Sequence, residues 1–226
     1  MSDSALPPRI PLFPLPLVLF PGQLKALRIF EPRYRIMLQD CLESGHPFGI
    51  LLVRNGDETP AALPRIGTTA HIVQVVRQED DTFAIQIYGG ERFRVEGFLH
   101  DRPYLRADVT PFPLREAESP VAYDLARHVE RLLPQYLDAL TEASGFRFNI
   151  QTIPGEPEQL AYLAAIALQA NNDTKQGLLA SPSCPRLLAS EIHLLAREMD
   201  LMAWITATLE HTNARAFGTA NDLSLN

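Results

Sequence analysis

Apolar residues in this chain first run together, then alternate with polar ones, and only later fall into helical spacing. Residues 10–20 (IPLFPLPLVLF) form an extended apolar run whose prolines forbid a helix and suit a sheet edge. Pro21-Gly22 marks a turn, and residues 26–30 (ALRIF) read as a short strand. The period then changes. Tyr34, Met37, Leu38, Cys41 and Leu42 sit at helical spacing, with Pro32 in the first turn and Gly45 as a stop. Strands are expected again at 48–53, 69–77, 82–88, 91–99 and 104–109. Within 69–77, simple alternation puts His71, Val73 and Val75 on one face and Ile72, Gln74 and Val76 on the other. The acidic turn Glu79-Asp80-Asp81 separates two of these strands and Gly89-Gly90 is expected to separate two more. Strands with one polar face and short connections indicate an antiparallel sheet or small barrel.

Residues 111–120 (PFPLREAESP) change the composition and read as a linker. Beyond them the period is helical. Val121, Leu125, Val129, Leu132, Tyr136 and Leu140 form a stripe that Pro134 is expected to kink. Residues 158–170 are apolar nearly all round, as in a helix buried among others. Leu188, Ile192, Leu195, Met199, Met202, Ile205 and Leu209 continue at spacings of three and four. The expected organisation is therefore α+β: a β-rich domain over 10–111, a helical domain over 119–211, and a disordered tail over 212–226.

Composition narrows the chemistry. The net charge of −7 opposes non-specific attraction to polyanions and to anionic membranes. Thirteen basic and 15 acidic side chains occur up to residue 118, against 7 and 12 beyond it, so the acidity is concentrated in the second part. The apolar run near the start follows Asp3, is broken by Pro11, Pro14 and Pro16, and is too short to span a bilayer. Two cysteines, Cys41 and Cys184, far apart and outside any CxxC spacing, fit a reducing, cytoplasmic setting.

Several reaction classes are excluded by spacing. Only Lys25 and Lys175 are lysines, and neither follows a glycine or precedes Ser or Thr, so no phosphate-binding P-loop exists. The 12 glycines assemble neither GxGxxG nor GxSxG. The histidines lack HxxxH spacing, and Glu191 and His193, two apart on a helix, diverge. Cys41 falls on the apolar face of the first helix, where a thiol is inert. The expectation is a protein without catalytic residues, cofactor or metal.

Two segments then carry a resemblance. Residues 12–42 (LFPLPLVLFPGQLKALRIFEPRYRIMLQDCL), with the corner Arg28-Ile-Phe-Glu-Pro-Arg-Tyr34, resemble the opening of the N-terminal, substrate-binding domain of the ATP-dependent Lon proteases. Gly89-Gly-Glu-Arg-Phe-Arg-Val95 is similar to that family's Gly-x-x-Arg-Phe strand, and Lys175-Gln176, Leu178-Leu179 and Arg186-Leu187-Leu188 are similar to its helical part. The resemblance implies a PUA-like β domain followed by a helical bundle. It also implies a stand-alone substrate-binding-like module, without ATPase or peptidase domains, whose partner is unfolded polypeptide or another protein. An alternative is RNA binding by the β domain through Arg28, Arg33, Arg92, Arg94 and Tyr104, which the acidic balance disfavours. Arg28, Glu31, Arg33, Tyr34, Arg92 and Arg94 are thus the candidate binding residues. At the corner the first reading is structural: Glu31 caps the helix, Arg28 or Arg33 pairs with it, and Phe30 and Tyr34 fill the core.

Overall fold

A computed structural model describes residues 6–80, 82–144 and 152–218. Six strands and five helices follow in the order β1 (Arg9–Leu15), β2 (Leu24–Ile29), α1 (Pro32–Ser44), β3 (Phe48–Leu52), β4 (Ile66–Arg77), β5 (Phe83–Leu99), β6 (Arg106–Pro111), α2 (Pro120–Ser144), α3 (Pro157–Ala167), α4 (Asn172–Leu179) and α5 (Cys184–Gly218). The chain divides into two compact units. One comprises the chain through Ala117 together with Gln169–Leu187; the other comprises Glu118–Leu168 together with the chain from Leu188.

In the first unit the strand order is β2-β5-β4-β3-β1-β6, and β5 also pairs with β6. This second pairing closes β5, β4, β3, β1 and β6 into a small barrel. β5 lends one side to β2 over Phe83–Tyr88 and then to β6 over Phe93–Leu99. β2 therefore stands outside the closed ring as an edge. The sheet is mixed rather than wholly antiparallel, because β1 runs parallel to β3. Nor is β1 an edge, despite its prolines. It meets β6 over Arg9–Pro11 and β3 over Leu12–Leu15, so each half of the strand has one main partner and prolines lacking an N–H are tolerated.

The Gly89-Gly90 pair does not turn the chain; β5 runs through it as one strand of 17 residues. The reason is close approach. A Cβ on Gly89 would lie 2.1 Å from the Phe20 carbonyl oxygen, so glycine is needed where two main chains touch. β4 departs from simple alternation as well. A register shift between Ile72 and Gln74 places His71, Gln74 and Val76 opposite Tyr88, Gln86 and Ala84, while Ile72 and Val75 turn toward the core.

The barrel holds two apolar clusters. One gathers Phe13, Phe48, Ile85 and Ile87 with the buried face of α1 (Tyr34, Met37, Leu38, Cys41); the other gathers Ile10, Leu12, Phe93 and Val109. α1 ends as its sequence indicates, at Gly45 with φ 70°, whose amide donates to the Cys41 carbonyl. α4 belongs to this unit rather than to the helical part. The Gln176 side-chain amide donates to the Ile66 carbonyl at 3.0 Å and that of Asn172 to the Pro16 carbonyl at 2.8 Å. The stretch after β6, read as a linker, is pinned in part: Leu114 is buried, and the Cys184 amide donates to the Arg115 carbonyl at 2.8 Å.

In the second unit α2 runs through Pro134 to Ser144 and packs on α3, burying Val129, Leu133 and Tyr136 from one and Leu160, Ala161 and Ala164 from the other. α5 continues to Gly218, so residues 212–218, expected as tail, are helical, and 219–226 lie outside the described residues.

Candidate functional site

Of the six candidate residues, four lie at the β2–α1 corner and its neighbouring loops. Arg33 is held by three charge-assisted bonds: its Nε donates to Glu31 at 2.9 Å, and its two terminal nitrogens donate to the two oxygens of Glu58 at 2.8 and 2.9 Å. The Tyr34 hydroxyl donates to the same Glu58 at 3.2 Å, and the guanidinium lies 4.5 Å from the Tyr34 ring centre. The bonds to Glu58 raise the Arg33 pKa above its already high ordinary value, and burial raises that of Tyr34. Tyr34 is buried, stacking 4.2 Å from Phe13. It is part of the core and offers no surface.

Glu31 occupies the cap position of α1, but its side chain makes no capping bond; only its carbonyl accepts from the amides of Tyr34 and Arg35. The carboxylate is drawn to Arg33 instead. Phe30 does not fill the core either. Ile29 is the inward residue that ends β2, and Phe30, next in the alternation, is exposed. Arg28 pairs with Asp80 and donates to the Thr82 hydroxyl at 3.2 Å, and the Thr82 bond leads in holding the Asp80 carboxyl below its ordinary value.

The other two candidates part company. Arg92, expected at the surface as a candidate binding residue, is buried, and one terminal nitrogen donates to the carbonyls of Leu179 and Ser181 at 2.7 and 2.8 Å. It thereby neutralises the carbonyl end of α4, a role inside the fold. Arg94 is exposed; it and Arg92 each lie 4.8 Å from the Phe112 ring centre.

Two open clefts flank the corner. One, of about 480 Å³, is lined by Arg33, Glu58, His100, Arg102 and Tyr104; the other, of about 420 Å³, by Arg9, Asp40, His46, Arg102, Tyr104 and Arg106. Each arginine of these walls has its own carboxylate: Arg9 with Asp108, Arg33 with Glu58, Arg102 with Asp40 and Arg106 with Asp101. These walls are electrostatically spent. Nor is a nucleophile available at the nearest thiol, because burial, with Asp40 adding to it, pushes Cys41 up to about 12. Among the described residues no three His, Cys, Asp or Glu side chains come together to hold a metal ion.

In the first unit an apolar surface without such pairing lies on the outer face of β2, β5 and β4, while α1, α2 and α5 expose other large apolar side chains, among them Trp204. Rows across these strands join Leu24 with Tyr88 and His71, Ala26 with Gln86 and Gln74, and Arg28 with Ala84 and Val76. Large apolar side chains stay in water there: Leu24 is 58% exposed, Val73 58%, Tyr88 44% and Val76 43%, and Phe30 extends the face at 62%. Gln74, Gln86 and Arg28 interrupt it, so it is a patterned strip rather than a bare patch. Grouped apolar exposure of this kind makes the face a candidate interaction surface. Only Arg28 of this face is a candidate from the sequence, because alternation alone does not say which apolar face stays uncovered. A signal existed: alternation could bury only one face of β4, yet Val73, Val75 and Val76 demand two.

The model of the ATP-dependent protease La (LON) substrate-binding domain matches residues 9–197. The chain belongs to this family. Lon protease 2 of Myxococcus xanthus is 25% identical over 214 residues, covering 89% of this chain and 25% of that protein. The Lon protease of Dictyoglomus thermophilum is 27% identical over 208 residues, covering 87% and 25%. The chain thus spans about a quarter of the length of the curated relatives it matches. A Lon N-terminal domain protein from Xanthomonas campestris superposes with a TM-score of 0.58 at 25% identity, covering 83% of this chain and 97% of that one. The N-terminal domain of the Mycobacterium avium complex Lon protease gives 0.63 at 19% identity, covering 83% and 98%. The LON-type α+β fold is therefore shared. Among the described residues no helix is long and apolar enough to cross a membrane.

Proposed function

We propose that this LON substrate-binding domain is a non-catalytic, cytosolic module that binds unfolded polypeptide, acting as an adaptor. The observation that carries the reading is the strip of Leu24, Phe30, Val73, Val76 and Tyr88, exposed on a fold of this family while the neighbouring charged walls are already paired. Apolar side chains in water recognise what a folded protein hides and an unfolded one displays. The absence of any P-loop spacing and the raised Cys41 pKa support a binding role rather than turnover. Titration of the chain into labelled, reduced and carboxymethylated lactalbumin, a permanently unfolded probe, tests this. A dissociation constant of roughly 1–100 μM is expected, because ordering a flexible chain opposes association. No saturable binding in that range would sink the proposal, as would ATP hydrolysis or peptide cleavage that co-purifies with the chain.

A further inference from the structure

The outer edge of β2 is the open end of an otherwise closed barrel. Among the described residues β2 pairs with β5 alone, over all six residues and without a register shift. Just before it, the Gly89 amide donates to the Gln23 carbonyl at 2.8 Å, which sets the alternation of main-chain groups. Lys25, Leu27 and Ile29 turn theirs toward β5, leaving the N–H and C=O groups of Leu24, Ala26 and Arg28 directed away from it. Among the described residues none of these outward groups has a main-chain partner in another element. Natural sheets blunt such edges with charged side chains, proline, bulges or cover, and of these β2 has only the charges of Lys25 and Arg28, which repel a like-charged strand and admit an acidic one. β2 contains no proline and no bulge, and Leu24, Lys25, Ala26 and Arg28 are all exposed.

Resting on the polypeptide-binding reading above, we propose that the bound segment adds to β2 as a further, extended strand. Its main chain would pair with Leu24, Ala26 and Arg28. Its side chains would alternate, apolar ones meeting the Leu24–Tyr88 side of the sheet. Charge argues which chain this is. A second copy would bring against this edge a strand with the same two cations, Lys25 and Arg28, and no acidic residue. Like charges gathered on one edge disfavour that pairing. A foreign segment with apolar residues, and with acidic ones opposite Lys25 and Arg28, meets no such penalty.

Amide hydrogen exchange on the full chain, with and without the carboxymethylated lactalbumin probe, tests the edge directly. The amides of Leu24, Ala26 and Arg28 should gain protection on binding, while the rest of the sheet is unchanged. In parallel, Ala26→Pro removes one outward N–H and should weaken binding about tenfold. Probe binding that leaves all three amides unprotected overturns the edge inference while the polypeptide-binding reading stands; no probe binding at all overturns both. Protection that instead rises with protein concentration, without probe, would assign the edge to a second copy and overturn the proposal.

Discussion

The strand-to-helix corner and the outer face of β2, β5 and β4 share β2, yet they spend their side chains in opposite ways. At the corner, Arg33 engages Glu31 and Glu58, the Tyr34 hydroxyl reaches Glu58, and the Tyr34 ring stacks on Phe13. On the outer face, Leu24, Val73 and Tyr88 stand in water beside polar neighbours that do nothing to cover them. A cluster whose groups are mutually satisfied has little interaction free energy left for a ligand. Exposed apolar surface keeps all of it, roughly 25 cal/mol for each Å² that a partner could cover. The satisfied groups of the corner, which dominates the family resemblance in the sequence, fit a folding device, and the less conspicuous face is the one we propose for binding.

The largest effect should come from breaking the corner. Tyr34→Ala removes a buried ring and leaves Glu58 one donor fewer, and should cost about 3–5 kcal/mol in a denaturant titration. Wherever the variant remains folded, its affinity for unfolded polypeptide should be unchanged. A loss of affinity out of proportion to the folded fraction would restore the corner as a binding site.

The corner also defines what a satisfied carboxylate looks like, and Glu191 in α5 is the opposite case. Its side chain is fully buried, and among the described residues neither oxygen has a hydrogen-bond partner. Burial alone pushes its pKa well above the ordinary carboxyl value. The sign follows from proton binding. The folded state holds this proton when the unfolded chain has released it, so stability falls as pH rises from the unfolded carboxyl pKa toward the raised folded one. Glu191→Leu should remove that decline and stabilise the protein by about 1–3 kcal/mol at neutral pH. Melting temperatures at a series of pH values check both. A variant whose pH slope matches that of the parent would show that the folded carboxyl titrates normally.

The contrast between the two regions was only half legible in the sequence. Period changes located most elements, because Pro32 and Gly45 bound α1 by fixed backbone preferences and because 3.6- and 2-residue spacings differ plainly. What escaped were features set by contacts distant in sequence. Gly89 reads as a turn until Phe20 is seen against it. Arg92 reads as a surface residue until the carbonyl end of α4 is brought to it, from 87 residues away. The strip itself depends on the bulge in β4, which no local pattern announces and which brings Val76 into the row of Arg28 and Ala84 on the outer face. Residues 169–187 look like any amphipathic stretch, and their place with the barrel is decided by side-chain amides reaching main-chain carbonyls.

Altering the face should move binding and spare the fold. Val73→Asp with Tyr88→Ser adds a charge and removes a ring where both side chains are already solvated, so stability should stay within about 0.5 kcal/mol for each change. Affinity for the unfolded probe should fall about tenfold or more, since the covered apolar area is lost and a desolvated carboxylate is added. An unchanged isotherm would remove the face from consideration.

The smallest expected effect separates the two regions most cleanly. If polypeptide were held in the clefts lined by Arg9, Arg33, Arg102 and Arg106, each contact would have to compete with an ion pair already present, and affinity would fall as salt screens the gain. Nucleic acid in the same clefts would show a steeper loss still, because its binding draws on counterion release. The apolar strip offers neither dependence. Lys25 and Arg28 can steer an acidic segment, but most of the area covered there is apolar. Raising the salt from 50 to 300 mM should therefore change the affinity for the unfolded probe by less than about twofold, against the 10³-fold or greater losses typical of multi-phosphate contacts. Isotherms at the two salt concentrations decide it: a fall of tenfold or more would move the binding surface from the outer face of the sheet to the arginine-lined clefts.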